Sequence, residues 1–413
     1  MSYISDIGKL LRKSENQLSI ASTEDKNLAL EEVVESIENN RKNILESNKV
    51  DIAIAKENNM KPSLIDRLKL DDEKIDSIIE SIHTVIKLQD PIWKSDKVWT
   101  LENGLTISKM NVPLGVIGIV YESRPNVTVD AFTLALKSGN CIMLRGSSTA
   151  INSNKALVKA IKEGLANSPI SEDVVQFIED PNRDHVLEML RANEYIDLII
   201  PRGGKDLISF VVKNATVPTI ETGVGNCHIF IDESGDLNKA LDIVINAKTQ
   251  RPGVCNACET LLVHKNIAEN FLPILYDKIK DVVEIRGCSE TRSIISVKEA
   301  VENDWQEEYL DYILAVKVVE DLNEAIDHIG KYGSKHSEAI ITENLSNSQM
   351  FLRKVDAAAV YVNSSTRFTD GGEFGFGAEM GISTQKIHAR GPIGLEQLVS
   401  NKYLIIGNGQ IRK

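Results

Sequence analysis

Through residue 90 the apolar positions recur at helical spacing, most plainly at Ile75, Ile78, Ile79, Ile82, Val85 and Ile86, which share one face of a predicted helix. The texture then changes. Runs at 98–101 and 105–110 alternate around Asn103-Gly104, a pattern that predicts a β-hairpin. Two strands are not stable alone in water, so the hairpin is expected to lean on another part of the chain. From residue 116 the period switches again. Short apolar runs at 116–121, 141–145, 174–178, 197–200 and 217–221 are separated by helical stretches such as 129–137 and 151–165. That alternation predicts a parallel, doubly wound sheet with its ligand crevice at the carboxyl ends of the strands. A second α/β set follows: helix 237–249, strand 259–264, helix 266–280, strand 312–319, helix 322–329 and strands 338–341 and 357–363.

Composition narrows the class. A chain of 413 residues exceeds what one hydrophobic core organises, so at least two domains are expected. Hydrophobic residues at 42% and charged residues at 26% describe an ordinary globular protein. The excess of 60 acidic over 47 basic residues, a net charge of -13, repels polyanions and argues against nucleic-acid binding, though local arginines can still hold a small anion. Residues 1–16 are charged throughout and no apolar run approaches a membrane span, so neither a signal peptide nor a membrane is expected, and the address is cytoplasmic. The odd count of five cysteines then favours reduced thiols over disulfides. Cys255 and Cys258 form a C-x-x-C, but its partner would be the adjacent Cys227-His228 rather than a second spaced pair, so no metal is expected.

Candidate chemistry begins at Gln250-Arg251-Pro252-Gly253-Val254-Cys255-Asn256-Ala257, a thiol in a Pro-Gly loop between a helix and a strand. Partial exposure and nearby amide N–H groups are what a nucleophilic cysteine needs; a buried structural thiol is the alternative. No G-x-G-x-x-G follows the first strand of the parallel set. In its place Pro201-Arg202-Gly203-Gly204-Lys205 opens a helix after a strand, where an N-terminus favours phosphate. The second strand ends Leu144-Arg145-Gly146-Ser147-Ser148, with arginine and hydroxyls where NAD(H) folds carry an acid, which favours NADP(H). Arg124 and Arg251, each beside a proline, are candidates for anionic groups of a substrate. Lys335-His336-Ser337-Glu338 forms a further polar cluster ahead of a strand.

Five blocks in order carry a resemblance: Val120-Tyr121-Glu122-Ser123-Arg124-Pro125-Asn126, Lys137-Ser138-Gly139-Asn140, the run 220–228, the cysteine loop, and the glycine-rich run 371–384. Over essentially its whole length the chain resembles the aldehyde dehydrogenase superfamily, and within it the glutamate-5-semialdehyde dehydrogenase family. The resemblance implies an α/β, aldehyde dehydrogenase-like fold of two doubly wound α/β domains with a small β oligomerisation element. Residues 1–97, 116–225 and about 370–397 would bind the cofactor, 226–369 would carry the nucleophile, and 98–115 with 398–413 would assemble a homodimer or homotetramer. Cys255 falls at the nucleophile, and Asn126 at the side-chain amide of the oxyanion hole, with a helix cap as its other reading. Glu221 falls at the glutamate that serves as base in aldehyde-oxidising relatives. It is followed by Thr222-Gly223-Val224-Gly225 instead of the usual Leu-Gly-Gly-Lys, so a structural role stays open. Glu308 falls near the acid that holds the nicotinamide ribose. The implied reaction is reduction of L-glutamyl 5-phosphate by NADPH, leaving NADP+, in proline biosynthesis, with transient contact to glutamate kinase. A hydrolytic NAD(P)-dependent aldehyde dehydrogenase, and a binding protein that keeps the fold without the chemistry, are the alternatives.

Overall fold

The helical periodicity of the first segment becomes five helices: α1 (Tyr3–Leu18), α2 (Thr23–Asn39), α3 (Arg41–Glu57), α4 (Pro62–Leu68) and α5 (Asp72–Lys87). They belong to a computed structural model that describes residues 2–412, so the outermost positions of the expected ranges, 1 and 413, lie outside the described residues. Side-chain caps start several of these helices. Ser2 accepts from Ser5 N–H, Ser22 and Asp25 form a reciprocal capping box, and Asp71 accepts from Lys74 N–H. In α5, Ile75, Ile78, Ile82 and Val85 are buried, as the stripe predicts.

The hairpin is β1 (Ser95–Thr100) and β2 (Thr106–Pro113), paired antiparallel. Its turn spans Glu102-Asn103-Gly104: Gly104 N–H donates to Leu101 O at 2.9 Å, and Leu101 N–H to Leu105 O at 2.8 Å. Gly104 supplies the left-handed conformation this loop needs, with φ +86°. Next come β3 (Val116–Tyr121), α6 (Asn126–Lys137), β4 (Cys141–Arg145), α7 (Ile151–Ala166), β5 (Val175–Phe177), α8 (Asp184–Leu190), β6 (Leu198–Arg202) and α9 (Lys205–Asn214). The four strands run parallel in the order β5-β4-β3-β6. Every residue of β3, β4 and β5 is buried, which is why they read as unbroken apolar runs. The strand expected at 217–221 does not form. Only Thr219 bridges to Ile199, because Pro218 has no N–H to give and contributes just its carbonyl to Ile199 N–H.

The later α/β set consists of β7 (Cys227–Ile231), α10 (Leu237–Thr249), β8 (Cys258–His264), α11 (Lys265–Ile279), β9 (Glu284–Gly287), α12 (Ser289–Ile294), β10 (Lys298–Glu299), β11 (Ile313–Val319), α13 (Leu322–Tyr332), β12 (Ser337–Ile341), α14 (Leu345–Lys354) and β13 (Ala359–Val362). Their seven strands form one parallel sheet, β10-β9-β11-β8-β7-β12-β13. Val244, Leu261, Phe271, Leu275 and Val316 belong to one core cluster of this sheet, and Phe230, Leu262, Leu322, Ile340 and Phe351 to another. A two-stranded ribbon, β14 (Ile382–Ser383) with β15 (Gly391–Pro392), precedes the last strand, β16 (Val399–Ile406). That last strand pairs antiparallel with β2, so the hairpin leans on the C-terminal segment in a sheet β1-β2-β16. By packing, the chain divides into a first unit running through residue 222 with 375–381 and the residues from 393 on, and a second of 223–374 with 382–392. Among the described residues no helix is long and apolar enough to cross a membrane.

Candidate active site

In the second unit, residues 250–257 connect α10 to β8, and Ala257 N–H closes a turn onto Val254 O at 3.1 Å. Cys255 lies in this turn, half-buried, whereas Cys141, Cys227 and Cys258 are buried. Cys288 is half-buried too, but its sulfur is committed to the start of α12 and the neighbouring strand, accepting from Thr291 N–H at 3.5 Å and Val318 N–H at 3.4 Å. Cys255 thus sits just before the amino end of β8, between a helix and a strand as its sequence context suggests.

The backbone of Cys255 rests on the segment that enters β7. A Cβ on Gly225 would fall 1.5 Å from the Cys255 carbonyl oxygen, so no side chain fits there. Cys227 donates its Sγ–H to that same oxygen at 3.1 Å, and burial raises its thiol pKa well above the ordinary value, which keeps it a donor. Glu308 accepts Gly225 N–H at 2.6 Å, so the acid assigned to the ribose also holds the support of the cysteine loop. Both ends of the loop are clamped by a buried ion pair, Lys248 Nζ to Glu259 Oε2 at 2.5 Å. Burial pushes the Glu259 carboxyl up to about 7, with Lys248 opposing, and its other oxygen accepts Leu310 N–H at 3.1 Å. Nearby His336 is fully buried, with Nδ1 at 2.8 Å from Ser337 Oγ and 3.8 Å from Cys227 Sγ. Glu338 Oε2 accepts His228 backbone N–H at 2.7 Å and lies in hydrogen-bond contact with His228 Nδ1 at 3.0 Å.

In the first unit the other candidates gather at the carboxyl ends of β3, β4 and β6. Asn126 begins α6 with its side chain half-buried, and its Nδ2 donates to Asp130 one turn on at 2.9 Å. Burial pushes the Asp130 carboxyl up to about 6, against the opposing influence of Asn126, Arg202 and Ser81. Arg124 is half-buried just before this helix, and its carbonyl accepts Val127 N–H. At the end of β4, Arg145 is buried; its guanidinium donates to Gly146 O and, at 3.0 Å, to Pro181 O, while Nε has no hydrogen-bond partner among the described residues. Burial lowers its pKa. Ser147 accepts from Thr149 N–H at 3.2 Å and Ser148 is exposed. After β6, Gly203, Gly204 and Lys205 are exposed, and Gly204 N–H donates to Glu122 Oε2 at 2.8 Å. A carboxylate of the chain thus meets the helix terminus where the sequence suggests a phosphate. Glu221 lies half-buried at the end of this unit.

The sequence profile of the aldehyde dehydrogenase family matches residues 23–293. Along its full length the chain is 65% identical to the gamma-glutamyl phosphate reductase of Alkaliphilus oremlandii, covering 100% of both proteins. The crystal structure of the gamma-glutamyl phosphate reductase of Thermotoga maritima superposes with a TM-score of 0.97 at 54% identity, again over 100% of each chain. The chain belongs to the aldehyde dehydrogenase family. Its place in that family is beside the gamma-glutamyl phosphate reductases, and both parallel sheets are those of an aldehyde dehydrogenase-like fold.

Within this aldehyde dehydrogenase fold, Cys255, Arg251 and Glu308 fall in the second unit, and Asn126, Glu221, Arg124, Arg145, Ser147, Ser148, Gly203, Gly204 and Lys205 in the first. Four side chains here were assigned no part in this chemistry by sequence: Glu122, Asp130, Cys227 and, in the short turn Thr366–Phe368, Arg367. Glu122 and Cys227 stand inside the quoted motifs, so position in a motif was the available signal. Asp130 stands one helical turn after Asn126, a spacing at which side chains meet. Nothing local marks Arg367.

Proposed function

We propose that this chain catalyses the NADPH-dependent reduction of L-glutamyl 5-phosphate to L-glutamate 5-semialdehyde and phosphate, in L-proline biosynthesis and in the cytoplasm. The observation that carries the reading is Cys255, half-buried in a turn whose backbone is held by Gly225 and Cys227, in a chain 65% identical throughout to a gamma-glutamyl phosphate reductase.

Cys255 thiolate attacks the γ-carbonyl carbon; a sulfur–carbon bond forms, the carbon–oxygen bond to phosphate breaks, and phosphate leaves with that electron pair. Asn126 donates to the developing oxyanion together with the backbone N–H of Cys255. Because one N–H of the Asn126 amide is spent on Asp130, the amide's rotation is restrained and its other N–H is left to donate. Glu221 is the candidate acceptor of the thiol proton, and no step needs it to activate water. Arg124 and Arg251 hold anionic groups of the substrate.

A dinucleotide fits the first unit in one observed respect: among the described residues the buried Arg145 Nε has no hydrogen-bond partner, while Ser148 after β4 and Lys205 after β6 are exposed. Arg145, Ser147, Ser148, Gly203, Gly204 and Lys205 would hold its adenylate half, with a 2′-phosphate favoured by arginine, and Glu308 its nicotinamide ribose. When bound, the cofactor supplies the hydride that takes the thioester to the aldehyde level. Homodimer or homotetramer assembly through the β1-β2-β16 sheet, and transient contact with glutamate kinase to shelter a labile acyl phosphate, complete the reading.

The test is the reverse assay: oxidation of glutamate semialdehyde with NADP+ or NAD+, with and without inorganic phosphate. Turnover is expected to require phosphate, to prefer NADP+, and to fall by about a thousandfold or more in Cys255→Ala. Oxidation that proceeds equally well without phosphate would point to a hydrolytic aldehyde dehydrogenase and end this reading.

A further inference from the structure

Arg367 lies in a short turn, Thr366–Phe368, that is laced to the cysteine loop. Asn256 Nδ2 donates to Arg367 O at 3.2 Å and to Thr369 O at 2.9 Å. Thr366 Oγ1 donates back to Asn256 O at 2.7 Å, and Arg367 Nε to Gln250 Oε1 at 3.1 Å. These contacts fasten the turn to both ends of the loop that carries Arg251 and Cys255. Arg367 is half-buried, and its electrostatic neighbours are Arg251, Asp370, Cys255 and Cys227. Burial and the like charge of Arg251 lower its pKa, with Asp370 and the thiols opposing. Among the described residues neither Arg251 nor Arg367 makes an ion pair, whereas Arg12, Arg41, Arg202, Arg286, Arg292 and Arg390 each do. The nearby Asp370 turns one carboxylate oxygen to the backbone, accepting Gly372 N–H at 2.8 Å. Two guanidinium groups on segments laced together by these hydrogen bonds, in electrostatic reach of each other and of the Cys255 thiol, with no carboxylate ion-paired to either among the described residues, make a place for an external anion.

We propose that Arg367 and Arg251 together bind the phosphoryl group, first as the acyl phosphate while Cys255 attacks and then as the departing phosphate. The inference rests on the acyl-phosphate reductase reading and assigns its leaving-group pocket to a residue far from the cysteine in sequence. Guanidinium forks match phosphate oxygens in pairs, and their charge offsets the negative charge that builds on the leaving oxygen. In the reverse direction the same pair positions inorganic phosphate against the thioester.

Two readouts test it. In reverse turnover, Arg367→Gln is expected to raise the KM for inorganic phosphate about tenfold or more, leave the KM for NADP+ near that of the wild type, and be partly rescued by Arg367→Lys. Independently of turnover, Cys255 is alkylated with anionic iodoacetate and neutral iodoacetamide. The wild type should show a higher iodoacetate-to-iodoacetamide rate ratio than Arg367→Gln, by about fivefold, and inorganic phosphate should protect only the wild type from iodoacetate. A cooperative thermal unfolding transition near that of the wild type verifies that the variant is folded. A variant with wild-type phosphate KM and wild-type labelling ratio overturns the proposal. Should semialdehyde oxidation prove independent of phosphate, the reductase reading falls by itself; phosphate protection lost in Arg367→Gln would then still support the anion pair, and protection absent from the wild type would overturn it.

Discussion

Asp130 illustrates how a side chain outside the recognised chemistry can govern one inside it. Its carboxylate accepts from Asn126 Nδ2 at 2.9 Å, yet burial raises its pKa from 3.8 to about 6. The folded protein therefore keeps a proton that the unfolded chain releases near pH 4, so this stabilisation is complete below that pH and is lost as pH rises through 6. Asp130→Asn keeps an acceptor for Asn126 and removes the ionisation. At pH 8 the variant should exceed the wild type in stability by on the order of 1 kcal/mol, and at pH 4 the difference should vanish, as read by urea unfolding at the two pH values. The residues legible from sequence were those whose neighbours along the chain explained them: Cys255 in its Pro-Gly loop, Arg251 beside it, Arg145 at a strand end. Arg367 was not legible, because its meaning comes from hydrogen bonds to Asn256 and Gln250, which no local pattern announces.

Among elements, the entrance to β7 does more than its sequence suggests. The run 220–228 reads as a family motif, and in the structure most of it is a floor: Thr222 Oγ1 donates to Pro201 O at 2.7 Å, Asn226 Nδ2 to Trp305 O at 2.8 Å and Tyr332 O at 2.9 Å, and Gly225 and Cys227 touch Cys255. Lys137-Ser138-Gly139-Asn140 is likewise a joint. Asn140 Oδ1 accepts Gly115 N–H at 2.9 Å, and its Nδ2 donates to Leu398 O at 2.8 Å. Gly225→Ala should cost about 3 kcal/mol or more, since the added methyl group must displace backbone, whereas Gly330→Ala in α13 meets nothing within 4 Å and should stabilise by roughly 0.5–1 kcal/mol. Thermal unfolding of the two variants side by side checks both signs. Strand β7 itself escaped the sequence reading because Cys227 and His228 look polar; Glu338, from the neighbouring β12, is what makes His228 acceptable in a buried strand.

At the scale of the whole molecule, β16 is an edge strand whose residues after Val399 are all exposed, with Tyr403, Ile405 and Ile406 more than half exposed. An exposed apolar edge of that kind invites pairing with a second copy. Ile405→Lys is expected to shift the protein toward monomer in sedimentation velocity at micromolar concentration; a wild-type protein that sediments as a monomer would remove the homo-oligomer reading. By itself the sequence determined the α/β class, the two parallel sheets, most element positions and the identity of the nucleophile candidate, because hydrophobic period, turn chemistry and contiguous motifs are local and act before any contact is made. Only the tertiary structure decided that 217–221 is no strand, that Glu308 and Cys227 brace the cysteine loop, that Glu122 accepts the N–H of Gly204 at the N-cap of α9, and that the Arg367 turn is laced to Gln250 and Asn256 of the cysteine loop. Each of those depends on a distance between segments remote along the chain, set by burial and hydrogen-bond satisfaction across the whole unit and encoded in no single stretch of residues.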